Sequence, residues 1–236
     1  RGVGPHPHRG FETVTIVYDG AVDHRDSAGH VDPIAAGDVQ WMTAGAGLVH
    51  EEFHGAAASK TGATASMAQL WVNLPARHKA TPPRYQPILA RDIPVVALPG
   101  LRLRVIAGSA PGGVDGLAGP EKTFSPLAVW DVVAEPGATF SAPLPKGWTA
   151  LVVVLEGSVD LPGGTVAAAR VAVLDRAGEA IGLTAGEGGA KLLVLAGEPI
   201  DEPIVAYGPF VMNSREEIRA AIDDFNAGRM GSLDVR

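Results

Sequence analysis

Thirty glycines and nineteen prolines are scattered through 236 residues. Neither belongs inside a helix: glycine loses the most backbone freedom there, and proline removes a hydrogen-bond donor. A chain broken this often folds most readily into many short strands joined by tight turns. The segments between the breaks agree. ETVTIVY at 12–18 has the composition of a strand, DG at 19–20 reads as a hairpin turn, and AVDHR at 21–25 as the returning strand. AGD at 36–38 reads as a turn before a strand at 39–42. AGAG at 44–47 reads as a loop, and strands follow at 48–53 and 67–73. Short strands at such spacing predict a sandwich or a barrel.

Residues 75–100 carry six prolines and little periodicity. They read as a crossing between two units, 1–92 and 93–236. Beyond it the strand pattern resumes at 128–133, 150–155, 171–174 and 191–195, with turns read at 135–137 and 156–157. YDGAV at 18–22 is echoed by LEGSV at 155–159, which suggests a duplicated barrel. The end departs from this pattern. Ser214 with Glu217 forms a capping box. Ile218, Ala221, Ile222 and Phe225 then recur at helical spacing, and Gly228 is a plausible stop. A helix over about 215–227, packed on a barrel, is the expectation.

Hydrophobic residues make up 46% of the chain and charged residues 19%, a globular balance. A net charge of −7 and a pI near 5.5 argue against a partner that offers phosphates, so no nucleic acid is expected. No apolar run is long enough to cross a membrane as a helix, and no signal peptide is recognisable. The chain opens on Arg1, not Met, and so reads as lacking its natural start. It contains no cysteine, which removes thiolate, iron–sulfur and disulfide chemistry and fits a cytoplasmic protein.

Chemistry concentrates in the first third. All seven histidines fall there: His6, His8, His24, His30, His50, His54 and His78. Two pairs stand at strand spacing, His6 with His8 and His50 with Glu52. Residues i and i+2 share a strand face, so each pair presents two ligands side by side. Three imidazoles and a carboxylate suit one divalent transition metal: Fe(II) first, with Mn, Ni, Cu or Zn as alternatives. Four ligands on an octahedral ion leave two positions open.

These residues resemble the pirin family of bicupins. The matching runs are HPHRGFETVT at 6–15, GDVQWMTAGAGLVHEE at 37–52, QLWVNLP at 69–75, PLPKGWTALVVVLEG at 143–157 and AGEPIDEPIVAYGPFVMNSREEI at 196–218. The resemblance implies an all-β fold of two consecutive cupin-type barrels with a C-terminal helix. It implies metal ligands at His6, His8, His50 and Glu52 in the first barrel, and a second barrel without metal. Some family members oxidise the flavonol quercetin, and others bind transcription factors or metabolic enzymes. Two departures stand out: the family commonly has a small residue where this chain has Glu51, and a leading segment is missing.

Two functions therefore stand side by side. One is an iron-dependent dioxygenase of the quercetin 2,3-dioxygenase type, with a small flavonol-like substrate and Glu52 as general base. The other is a metal-dependent regulator that binds a protein partner without turnover. Several residues have plainer readings. Glu12 either ligates or pairs with Arg9 or Arg25. Arg9 meets an anionic ligand or an ion-pair partner. His24, His30 and His78 read as solvated or hydrogen-bonded, and His54 as a residue at the mouth. Gln40 is a candidate to orient a ligand, Trp41 a core residue, and Glu216, Glu217, Asp223 and Asp224 the wet face of the last helix.

Overall fold

A computed structural model describes residues 2–55, 64–111 and 116–233. Among these, the chain forms eighteen strands and one α-helix, so the fold is all-β with a C-terminal helix. It divides into two compact units, residues 1–90 together with 201–236, and residues 91–200.

The first unit holds two four-stranded antiparallel sheets. One contains β1 (Gly2–His8), β6 (Leu48–His54), β3 (Ala21–Asp26) and β4 (Val31–Ala35) in that order. The other contains β7 (Ser66–Asn73), β2 (Phe11–Asp19), β5 (Val39–Thr43) and β8 (Arg84–Ile88). The register fixes what shares a face. On β6, His50 stands opposite His6 and Asp26, and Glu52 stands opposite His24. In the second sheet Gln69 and Gln40 both stand opposite Thr15.

The proline-rich stretch at 75–100 is only partly a crossing. It contains β8, which pairs with β5 and carries Pro87. The strand sits at the edge of its sheet, where a missing donor is tolerated. That single proline masked its alternation.

The second unit is built from β9 (Val95–Leu98), β10 (Leu101–Ala107), β11 (Leu127–Ala134), β12 (Thr139–Pro143), β13 (Thr149–Leu161), β14 (Gly164–Ala167), β15 (Arg170–Val173) and β16 (Ala180–Gly197). The turn expected at 156–157 is instead a bulge inside β13. The register against β16 shifts on both sides of it. Gly157 has φ +71°, and a Cβ there would meet the Gly189 carbonyl oxygen at 2.0 Å. A glycine of this kind bends a strand without ending it.

The last segment corrects the expected boundary. β17 (Val205–Tyr207), β18 (Phe210–Met212) and α1 (Arg215–Asn226) belong to the first unit, not the second. Ser214 caps α1 by accepting from the Glu217 amide at 3.2 Å. Ile218 and Ala221 pack with Val49, Phe210, Met212 and Met230. An apolar stripe announces that a helix packs but not on what, and here the docking is fixed by polar ties. Val211 donates its amide to Arg9 oxygen at 3.0 Å. The Lys79 ammonium donates to the Gly10 and Val211 carbonyls and to Asn73 Oδ1, at 2.7–2.8 Å. Gly10, at φ +90°, has no room for a Cβ, which would lie 2.0 Å from Val211 oxygen.

Candidate metal centre

The antiparallel register of β1, β6 and β3 gathers the histidines. His6, His8 and His50 each offer a ligand atom within 4.8 Å of the other two. Their ring centroids are 4.3 Å (His6–His50), 4.8 Å (His8–His50) and 4.8 Å (His6–His8) apart. Glu52 falls in a second, overlapping group with His50 and His24 under the same limit. His50 is thus common to both groups. Glu52 is held in place by Gln69 Nε2, which donates to Oε2 at 2.8 Å, and by Thr15 Oγ1, which donates to Oε1 at 3.3 Å.

The local chemistry suits metal binding. His6 Nδ1 lies 2.8 Å from Gly4 oxygen and His8 Nδ1 3.4 Å from Pro209 oxygen. A carbonyl at Nδ1 fixes the proton there and leaves Nε2 as a lone-pair donor. His50 is fully buried, and neither of its ring nitrogens has a hydrogen-bond partner. Buried polar atoms are almost always satisfied, so the residues fit an ion at this point. Burial, aided by the His6 charge, pushes His8 down to about 4, against the weaker pull of Pro209 oxygen. Burial pushes His50 further down, with His8, His6 and His24 adding to it. Both imidazoles are therefore neutral near pH 7, the form that ligates.

Several other expectations change. Glu12 is fully buried and belongs to neither group; it accepts from Thr43 Oγ1 at 2.7 Å and lies 3.8 Å from Arg84 Nη2. Arg9 instead pairs with Asp224 at 2.7 Å and donates to Ala46 oxygen, so Asp224 is not simply a wet-face residue. Arg25 pairs with Glu51 at 2.7 Å, and these two stand opposite each other on the face turned away from His50. Gln40 is fully buried with both amide atoms unpartnered. His54 and His78 lie outside both groups.

His24, expected to be solvated or hydrogen-bonded, is hydrogen-bonded and has a second association. It is 2% exposed and hydrogen-bonded to Asp26, yet it also belongs to the His50–Glu52 group. The same i, i+2 reasoning would have found it, because DHRD at 23–26 places His24 and Asp26 on one face. Burial works against the charge of Asp26, but hydrogen bonds from His24 and His30 hold its pKa at about 2. At the edge of the site, Trp71 is half exposed and packs on Phe11 at 4.3 Å and on His8 at 5.3 Å.

Two family models match the sequence, Pirin over residues 1–72 and Pirin C-terminal cupin domain over residues 129–231. A Pseudomonas aeruginosa protein, provisionally named quercetin 2,3-dioxygenase, is 54% identical over 97% of this chain and 79% of its own length. The chain belongs to the pirin family. Pirin-1 of Arabidopsis thaliana is 37% identical over 98% of this chain and 78% of its own. The crystal structure of quercetin 2,3-dioxygenase from Acinetobacter baumannii has a TM-score of 0.93 at 52% identity. It covers 99% of this chain and 80% of that one. The fold is that of a bicupin, and the two compact units are its two cupin barrels.

Proposed function

We propose that this pirin is a metal-dependent dioxygenase acting on a flavonol-like substrate. One ion per chain would be held by His6, His8, His50 and Glu52. The observation that carries this reading is the buried, unpartnered His50 imidazole, set among two imidazoles whose Nδ1 atoms face carbonyls. The names of relatives at 54% and 52% identity supply the substrate class. Fe(II) is the first choice, because mixed imidazole and carboxylate sites with open positions suit it. A bacterial pirin from Escherichia coli, 22% identical and alike in fold, is described in complex with nickel(II), so other divalent ions remain in play. The second barrel, residues 91–200, is proposed to carry no transition metal.

Within this reading the ion would supply Lewis-acid polarisation of a substrate hydroxyl. The protein does the rest. Gln69 and Thr15 aim the Glu52 carboxylate, which takes the hydroxyl proton as general base. Trp71, half exposed and packed on the buried Phe11, gives a planar ring an aromatic face beside His8. The test is metal analysis of anaerobically purified protein, followed by oxygen uptake with quercetin. One iron per chain and uptake that depends on it are expected. Iron-loaded protein that consumes no oxygen with any flavonol would overturn the dioxygenase assignment.

A further inference from the structure

Four side chains outside the ligand set form one connected group beside His50 and Glu52: three stacked rings and the carboxylate that joins two of them. The His24 ring stacks on Tyr85 at 4.9 Å, and Tyr85 stacks on His30 at 4.9 Å. Asp26 ties the two imidazoles together, with Oδ2 at 3.3 Å from His24 Nε2 and 2.8 Å from His30 Nδ1. Backbone amides of Ala28 and His30 donate to Asp26 Oδ1 and fix the carboxylate in turn.

This arrangement decides which nitrogen of His24 carries the proton. A carboxylate at Nε2 selects the Nε2–H tautomer and leaves Nδ1 as a bare acceptor. That Nδ1 is buried and has no partner. His24 also places a ring nitrogen within 4.8 Å of ligand atoms on His50 and Glu52, and stands opposite Glu52 in the sheet. The whole group is thus an oriented acceptor beside His50 and Glu52, with its tautomer fixed by Asp26 and its free nitrogen left without a partner.

We propose that His24 Nδ1 accepts the hydrogen of a hydroxyl brought in beside the metal position, a water at rest or, in use, a flavonol hydroxyl other than the one that gives its proton to Glu52, and that Asp26 is the positioning residue that fixes its tautomer. The inference rests on the proposed function and extends it from the ligands to the binding of substrate. It gives Glu52 and His24 separate hydrogens: the carboxylate takes the proton of the hydroxyl that the ion would polarise, and the imidazole accepts from a neighbouring hydroxyl and so orients the substrate.

The test uses full-length protein loaded with Co(II) under anaerobic conditions and titrated with quercetin by absorbance. Wild type should hold one Co(II) per chain and bind quercetin. His24→Ala and Asp26→Asn should keep one Co(II) per chain and bind quercetin about 10- to 100-fold more weakly, the cost of losing a hydrogen bond in a buried site. His24→Asn should recover most of the affinity, because Asn Oδ1 falls near the place of Nδ1. Unchanged quercetin affinity in folded His24→Ala would overturn the inference. So would loss of Co(II) from both His24 variants, which would make His24 a ligand instead. If His24→Ala does not fold, Asp26→Asn decides alone, since its amide can donate to Nε2 and turn Nδ1 into a donor. A wild type that takes up no metal, or that takes it up and ignores quercetin, defeats the proposed function itself. Variants that match a competent wild type defeat only the role of His24.

Discussion

The two barrels share an architecture and differ in what fills them. In the second, twenty-one buried apolar residues form one continuous cluster, from Val96 through Trp130, Phe140 and Leu192 to Ala196. Among its described residues the buried charges are Arg104 and Asp131, which pair at 3.0 Å. In the first, the buried residues include His8, Glu12, Thr15, His24, Asp26, Gln40, His50 and Glu52. A barrel needs a filled interior to be stable, and apolar packing is the simplest filling. The first barrel buries polar and charged side chains, held by bonds such as Thr43–Glu12, Gln69–Glu52 and Arg25–Glu51, and leaves the His50 imidazole without a partner. The difference teaches where to look for chemistry in a duplicated fold: in the copy whose core is polar.

The comparison breaks most visibly at the ligands. His8→Ala or His50→Ala should abolish stoichiometric metal uptake and leave the strand content unchanged, because neither side chain is part of an apolar cluster. Metal analysis alongside far-ultraviolet circular dichroism reads both. Full metal occupancy in either variant would refute the assignment. Anomalous scattering should at the same time find no second transition-metal site in the second barrel.

Next in size is the separation of Glu52 from its neighbour. Glu52→Gln should keep much of the metal, since an amide oxygen still coordinates, and lose about 10²–10⁴-fold in turnover with quercetin. Glu51→Gln should leave turnover near wild type. It is not silent in stability, however. Glu51 is buried against Arg25 at 2.7 Å, so the change should lower the melting temperature of the first unit. Turnover lost with Glu51 and kept with Glu52 would mean that the site uses the other face of β6.

The second barrel responds to truncation instead. Leu192 is fully buried in the apolar cluster, and Leu192→Ala should cost about 2–5 kcal/mol in that unit. Metal uptake should not change. Urea unfolding followed by hydrogen exchange, resolved by unit, measures it. A variant that loses metal while the second unit stays protected would contradict the division of labour drawn here.

Much of this was legible in the sequence, and the gaps have physical causes. Period-two spacing located the His6–His8 and His50–Glu52 pairs, and the capping box located α1 within a residue or two. The strand β8 hid behind prolines that an edge position tolerates. The bulge at Gly157 imitated a turn because both use a positive φ. The docking of α1 on the first unit depends on Arg9, Lys79 and Ser27, which reach residues 132 to 215 positions away. No local pattern encodes such pairings. The i, i+2 pair His24 and Asp26 was legible too, but that His24 stands opposite Glu52 depends on register, which is invisible in a single sequence.

The smallest effect is the response of metal-stripped protein to acid. His8 is lowered from 6.5 to about 4 by burial first and by His6 second. In the unfolded chain the same imidazole takes a proton near 6.5. Between these values the unfolded state holds a proton that the folded state refuses, so stability falls as the pH drops from 6.5 toward 4. The size is on the order of 2–3 kcal/mol for His8, and His50 acts in the same direction. Asp26 adds a further loss only below about 3.8, where its native charge is titrated toward 2. The second barrel has no histidine and should not share the first step. Hydrogen exchange at pH 7 and pH 4.5 should therefore show protection falling in strands β1, β3 and β6 and holding in β11, β13 and β16. His8→Gln should remove part of the loss, because an amide does not titrate. Equal acid sensitivity in both barrels would mean that the buried imidazoles are not its source.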